Sequence, residues 1–270
     1  MAEEIIIEGK TFLITGGASG LGVRYAEAFL EERAKGGAIL DVDEERGKGS
    51  AERLTKKYNK NVIFVKCDVS EEENLTKAFD EVVDVFEQVD IIINNAGIMN
   101  DSPGSWRKAC QVNWEALVSL TLKGVKHMSV DEGGAGGTII NISSTAALFI
   151  WPFLPIYSGS KMAVLHFSHC FAQSLEGTGV RVMCLCPGPT DTALMTGLEE
   201  RACTEKLGIG LAKTVTDGLT FQKVESAVKA CVEMMKKGEN GSTWVSNEDH
   251  PPKNMTKTIH EAFALFGEAA

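Results

Sequence analysis

The sequence holds 270 residues, 44% hydrophobic and 24% charged, an ordinary globular composition with ample length for a sizeable core. Its net charge of −10 argues against nucleic acid or an anionic membrane as partner, since both are polyanions and no stretch concentrates Lys and Arg against that balance. No run reaches the roughly 18 apolar residues that span a bilayer, and the acidic start MAEEIIIEGK lacks the basic flank and apolar length of a signal peptide.

Taken in chain order, short apolar runs alternate with longer amphipathic ones. TFLIT is a strand, followed by a glycine-rich turn and a helix over roughly 25–32. AILDV is the next strand, then a charged helix over about 44–57, best read as a solvated face. NVIFVKC, a helix over about 71–87 and the strand DIIINNAG follow. A long helix over about 107–128 leads to the strand TIINIS. A helix from Tyr157 to about Leu175, the strand VRVMCLCP, a helix over 223–236 and the strand STWVS close the pattern. The central runs are apolar on both faces, as parallel strands covered by helices on both sides must be. Alternating β and α elements predict an α/β fold: a doubly wound parallel sheet of the Rossmann type, helices on both faces. One domain over 1–270 is expected, with a nucleotide half over about 8–100, a catalytic and substrate half over about 101–250 and a tail over 251–270 that is polar and then turns to FALF near its end. The segment 193–220 breaks the alternation as an excursion over one edge.

Seven cysteines form an odd count without CxxC pairs, and Cys184 and Cys186 share one strand. Buried reduced thiols are the reading preferred over disulfides, which fits a cytoplasmic protein. The five histidines show no ligand spacing, so no metal is expected.

Between the first strand and helix lies Thr15-Gly16-Gly17-Ala18-Ser19-Gly20-Leu21-Gly22. Glycines let a backbone turn sharply against a pyrophosphate, and the following helix offers free amides and its positive dipole end. A plain tight turn is the alternative, but a strand before and a helix after favour a dinucleotide site. Asp41, nineteen residues after Gly22, ends the second strand, where a carboxylate accepts from ribose hydroxyls and repels the extra phosphate of NADP. NAD is therefore the expected cofactor, with Arg24 and Arg46 the cations within reach in sequence that could reverse the preference. Cys67-Asp68-Val69 ends the third strand and Asn94-Asn95-Ala96-Gly97 the fourth, where ligands lie in doubly wound sheets.

Tyr157 and Lys161 are four apart at a helix start and share a face. A phenol titrates near 10, and a nearby ammonium together with a positive nicotinamide ring would lower that value. Tyr157 could then take an alcohol proton while hydride leaves, with Ser144, thirteen residues earlier, holding the same oxygen. A surface Tyr–Lys pair is the plainer alternative when these two are taken alone.

TGGASGLG, NNAG, Ser144 with YSGSK, and Pro187-Gly188 together resemble the short-chain dehydrogenases/reductases over roughly residues 8–247. The resemblance implies that Asn113, in QVNW, completes a catalytic tetrad with Ser144, Tyr157 and Lys161. It implies that Lys161 also bonds the nicotinamide ribose, and that Thr190 and Thr192 lie near the nicotinamide carboxamide and phosphates. It further implies a homodimer or homotetramer built on the helices over 107–128 and 157–175. Within the family the likeness runs to the branch of NAD-dependent 15-hydroxyprostaglandin and insect alcohol dehydrogenases, through Asp41, CDV, the run over 133–144 and CPGPTDTAL. Two departures stand out. Leu154 replaces that branch's substrate-contacting glutamine, which turns the expectation away from prostaglandin itself, and an extra glycine at Gly36-Gly37 is expected to adjust a turn before the second strand.

The apolar run between Ser144 and Tyr157 then reads as a substrate wall, with Phe149, Ile150, Trp151, Phe153 and Leu154. Ala193, Leu194, Met195 and Leu198 are its mobile lid. The expected substrate is a small-molecule lipophilic alcohol, or its ketone in the reverse direction; packing of the run in the core or at a subunit interface is the alternative. An NADP-dependent carbonyl reductase and a non-catalytic nucleotide- or lipid-binding protein are the competing functions. Asp41 speaks against the first, and the retained Asn113, Ser144, Tyr157 and Lys161 against the second.

Overall fold

In the computed structural model, residues 5–269 are described. The strands are β1 (Thr11–Thr15), β2 (Gly36–Asp41), β3 (Asn61–Lys66), β4 (Ile91–Asn94), β5 (Gly137–Ile142), β6 (Val180–Pro187), β7 (Thr243–Ser246) and β8 (Lys253–Asn254). They form one sheet in the order β3-β2-β1-β4-β5-β6-β7-β8. Every neighbour is parallel except β8, which runs antiparallel to β7. The chain lays β2 and β3 to one side of β1, then crosses back to place β4 on the other. That reversal opens a crevice beyond the carboxyl ends of β1 and β4, the general ligand position of such sheets.

Both faces of the sheet are dry. On one, α1 (Gly20–Glu31), α2 (Glu44–Tyr58) and α8 (Val224–Lys237) bury Tyr25, Phe29, Leu54, Cys231 and Met234 against Phe12, Ile14 and Ile39. On the other, α3 (Glu72–Phe86), α5 (Ala116–Met128) and α6 (Pro155–Gln173) bury Leu75, Val82, Leu120 and Ala172 against Leu13, Leu40 and Ile92. Alternate residues of β1 thus serve opposite cores, the reason TFLIT is apolar throughout its middle.

Three local expectations change. The long helix over 107–128 is α4 (Trp106–Cys110), a π turn (Gln111–Glu115) and α5, and the π turn carries Asn113. Gly36 and Gly37 lie inside β2 rather than in a turn before it. A Cβ on Gly36 would sit 2.2 Å from the Asn61 carbonyl oxygen, and one on Gly37 2.3 Å from that of Phe12. The tail, polar at first, ends in a helix that contains FALF: after β8 comes α9 (Thr256–Ala269), which packs Ile259 and Phe263 against α6 residues including Val164, Leu165 and Phe167. There the buried His169 bonds Thr243 at 2.9 Å and His260 at 3.1 Å. The excursion over 193–220 holds two short 3-10 turns and α7 (Glu205–Thr216). All seven cysteines are free thiols. Among the described residues no helix is long and apolar enough to cross a membrane.

Candidate active site

The glycine turn works through backbone shape. Gly16 and Gly20 take left-handed φ values of 64° and 53°, and a Cβ on Gly22 would stand 2.1 Å from the Gly16 carbonyl oxygen. Space around Gly20 is open, and no side chain caps the first turn of α1 behind Ser19. A small-residue cradle at an uncapped helix start suits a pyrophosphate. Asp41 joins this cradle, accepting from Ala18 N–H at 3.0 Å and Asp43 N–H at 3.1 Å. Arg24 is paired with Glu27 and Glu225, and Arg46 with Asp43.

Along the crevice, Asp68 accepts from the Ser70 amide and hydroxyl and pairs with Lys108 at 2.8 Å. These partners outweigh its burial and hold its carboxyl below the usual range. Val69 is buried behind it. Asn95 donates to the Thr15 and Gly16 carbonyls, while Thr15 Oγ1 accepts from the Asn95 and Ala96 amides. The β4 loop is thereby sewn to the glycine turn.

The candidate reacting groups converge from two elements. Ser144 follows β5, where its hydroxyl accepts from Ala146 N–H and donates to the Pro187 carbonyl at 3.4 Å. Tyr157 and Lys161 project from the first turns of α6, with the amine 5.8 Å from the centre of the phenol ring. Lys161 Nζ donates to the Ile142 carbonyl at 2.9 Å and stands beside Gly97, where a Cβ would come within 3.6 Å of it. An ammonium carries three donors, so two can turn toward the cleft that Lys161 lines. That arrangement fits a ribose diol. The glycine cradle and the Lys161 donors together fit a nicotinamide dinucleotide.

Burial decides the electrostatics. It pushes the Tyr157 phenol up to about 12 against a smaller downward pull from the Ser144 hydroxyl, and it brings Lys161 down to about 8. The expected lowering of Tyr157 by Lys161 is therefore not present in the protein by itself, because desolvation dominates and the amine bonds a carbonyl instead of the phenol.

Asn113 is 1% exposed and lies one layer behind the cleft. Its Oδ1 accepts from the Ile98 amide at 2.7 Å, and its Nδ2 donates to the Ile98 carbonyl at 2.8 Å and to Ser160 Oγ at 3.2 Å. It thus joins the β4 loop to α6. Thr190 Oγ1 donates to the Gly188 carbonyl, and Thr192 Oγ1 to that of Thr190, both in the loop after β6.

A cleft of about 930 Å³, counted out to its open mouth, unites these groups. Leu21, Asn95, Gly97, Lys161, Gly188, Thr190 and Thr192 line its cofactor end. Phe149, Trp151, Met195, Leu194, Met99 and Leu219 form its apolar remainder. Ile150 and Phe153 of the expected wall do not line the cleft, and neither does Leu154. It is fully buried beneath it, packed with Tyr157, Leu198 and Leu211, because it immediately precedes α6 and turns inward. Ile150 is 98% exposed and points away from the wall's inner side.

Sequence reasoning missed two residues. Asp101 is fully buried and caps α6 from a distant loop. Gln222 is 1% exposed and donates to Thr190 Oγ1 and the Ser246 carbonyl while accepting from Ser246 Oγ. An acid in an otherwise turn-like DSPG offered a weak signal for the first; nothing in the local sequence marks the second.

The family model described as short chain dehydrogenase matches residues 10–202. The chain is 38% identical over 197 residues to 15-hydroxyprostaglandin dehydrogenase [NAD(+)] of Macaca fascicularis, covering 72% of this chain and 73% of the relative. It is 31% identical to 3beta-hydroxysteroid dehydrogenase 2 of Eggerthella lenta over 243 residues, 87% of this chain and 91% of the other. Alcohol dehydrogenase 1 of Ceratitis cosyra is 26% identical over 90% of this chain and 93% of its own length. A solved dehydrogenase/reductase from Sinorhizobium meliloti 1021 superposes with a TM-score of 0.74 at 22% identity, covering 90% of this chain and 96% of that one, and shares the fold.

Proposed function

The chain belongs to the short-chain dehydrogenase family, and on that footing we propose that it oxidises a lipophilic alcohol to the ketone or aldehyde with NAD. The observation that carries this reading is the convergence of Ser144, Tyr157 and Lys161 on one cleft whose other walls are Phe149, Trp151, Leu194 and Met195. Asp41 at the glycine cradle, with Arg24 and Arg46 already held by carboxylates, supports NAD over NADP. The relatives named for NAD(+), for a hydroxyprostaglandin and for a hydroxysteroid agree in sense.

In this reading Ser144 donates to the substrate oxygen and Tyr157 takes its proton, while Lys161 holds the cofactor ribose and relays the proton outward. A dinucleotide held by the glycine turn and Lys161 would supply the hydride acceptor and a positive ring whose charge would bring the buried Tyr157 phenol into a working range. Asn113 steadies the β4 loop and α6 around these groups. The apolar wall orients the alcohol and excludes water from the transfer. The balance is one alcohol and one NAD to one carbonyl, one NADH and one proton. We further propose a homodimer or homotetramer working in the cytosol.

Turnover followed at the reduced-nicotinamide absorbance band, across alcohols from ethanol to farnesol, prostaglandins and sterols with NAD and NADP, tests the reading. A bulky apolar alcohol with NAD is the expected active pair. Tyr157→Phe is expected to lower kcat about 10²–10⁴-fold. Retained turnover in that variant, or a preference for NADP, overturns the corresponding part.

A further inference from the structure

α6 begins without a cap of its own. Leu154 stands at the cap position and offers no side-chain acceptor, yet the amides of Ile156 and Tyr157 lie in the first turn, where no intrahelical carbonyl can reach them. Both are answered by one residue from outside. Asp101 Oδ2 accepts from Ile156 N–H at 2.6 Å and Oδ1 from Tyr157 N–H at 2.9 Å. The carboxylate is completely buried, and its charge meets the positive end of the α6 dipole. Desolvation raises its pKa and the two amide bonds oppose that rise.

Asp101 is also tied the other way. Its own amide donates to the Arg201 carbonyl at 2.7 Å. Arg201 sits in the excursion over the cleft, where its guanidinium donates to the carbonyl of Leu194, a residue that lines the cleft. Leu198 and Ala202 flank Arg201 and are buried in one cluster with Met99, Leu154 and Tyr157. A continuous series of bonds and packed side chains therefore runs from the wall at Leu194 through Arg201 and Asp101 to the backbone of Tyr157.

We infer that Asp101 is a positioning residue that couples the 194–202 lid to the placement of Tyr157, so that a seated lid and an aligned phenol are one state. The inference rests on the dehydrogenase reading for its kinetic consequence but not for its structural one. Asp101 touches neither the reacting atoms nor the cofactor cradle. Removing its carboxylate leaves two buried amides unanswered and frees the first turn of α6 to shift, and small misplacements of a reacting group are costly in rate. The cofactor contacts of the glycine turn do not depend on it.

Asp101→Ala and Asp101→Asn are compared with the parent chain in three measurements: kcat and KM on the active alcohol, NADH affinity by fluorescence, and amide hydrogen exchange. For Asp101→Ala, kcat is expected to fall about tenfold or more, with NADH affinity within about twofold. Exchange should rise at 156–157 and, with it, across 194–202. Asp101→Asn keeps one acceptor oxygen and is expected to recover part of kcat; it also serves where the alanine variant fails to fold. Parent-like kcat in both variants overturns the positioning role. Faster exchange at 156–157 with an unchanged lid overturns the coupling. A joint loss of kcat, NADH affinity and melting temperature, without a separation of kcat from cofactor binding, reduces Asp101 to a structural cap and also overturns the inference. Silence of the parent chain across all alcohols defeats the dehydrogenase reading instead, and the exchange measurement then decides the coupling alone.

Discussion

The two ends of the cleft are built by different means. At the cofactor end, the chain's shape is the instrument: Gly16, Gly20 and Gly22 exist to let backbone approach backbone, and the Asn95 and Thr15 bonds run to main-chain atoms. At the substrate end, side chains do the holding, across distances the local sequence does not advertise. Asp101 reaches α6 from 55 residues away. A site made of backbone geometry announces itself as a motif, because few residues permit that geometry. A site made of side-chain packing does not, because many residues pack.

The comparison can be broken at its largest expected effect by Leu154→Ala against Phe149→Ala. Leu154 is fully buried under the wall while Phe149 is 56% exposed along it. Leu154→Ala is expected to cost about 2–5 kcal/mol of stability in a denaturant titration. Phe149→Ala is expected to leave stability nearly unchanged and raise KM for a bulky alcohol about tenfold, with kcat little altered, as loss of uniform binding requires. If Leu154→Ala instead raises KM at constant stability, the wall extends deeper than the cleft shows.

Gly22→Ala sharpens the cofactor side. Its Cβ would meet the Gly16 carbonyl oxygen at 2.1 Å and the Asn95 side-chain Nδ2 at 2.8 Å, so the turn must open. Overpacking of this kind costs about 1–3 kcal/mol, which, if borne by the bound cofactor, is about five- to 150-fold in NADH dissociation constant. Fluorescence titration of NADH reads it directly. Unchanged affinity would place the pyrophosphate elsewhere.

The smallest effect separates both ends from the α9 face. Burial brings His169 down to about 4, and the neighbouring His260 and His166 push the same way. The unfolded chain, with a histidine near 6.5, binds a proton that the folded chain refuses between about pH 6.5 and 4. Stability is therefore complete above that window and is lost as pH falls through it, by about 1 kcal/mol between pH 6 and 5. His169→Asn should flatten that dependence in melting curves, while leaving NADH affinity at neutral pH unchanged.

Much of this could be read in advance, and the reasons are physical. The strand runs had to be apolar on both faces to sit between two helical layers, so TFLIT, NVIFVKC and TIINIS marked a parallel sheet without further help. Ser144, Tyr157 and Lys161 were legible because their types and spacing answer a chemical need, and the fold brings all three to one cleft. Asn113 was legible as a residue but not in its place: only the π turn and the Ile98 bonds show that it lies behind the cleft. The second core under α9 was legible only as the apolar FALF near the end of the tail, because the packing of Ile259 and Phe263 on α6 depends on where the helix docks.

What the sequence by itself determined, then, was everything that follows from local chemistry: strand and helix periods, glycine-dependent turns and the candidates for the reacting groups. Tertiary structure alone decided the balance of forces among them. Whether Leu154 faces substrate or core, whether burial or Lys161 governs the Tyr157 phenol, and which distant carboxylate caps the helix beneath it all depend on desolvation and contact between segments far apart in the chain. Those quantities exist only once the chain has folded.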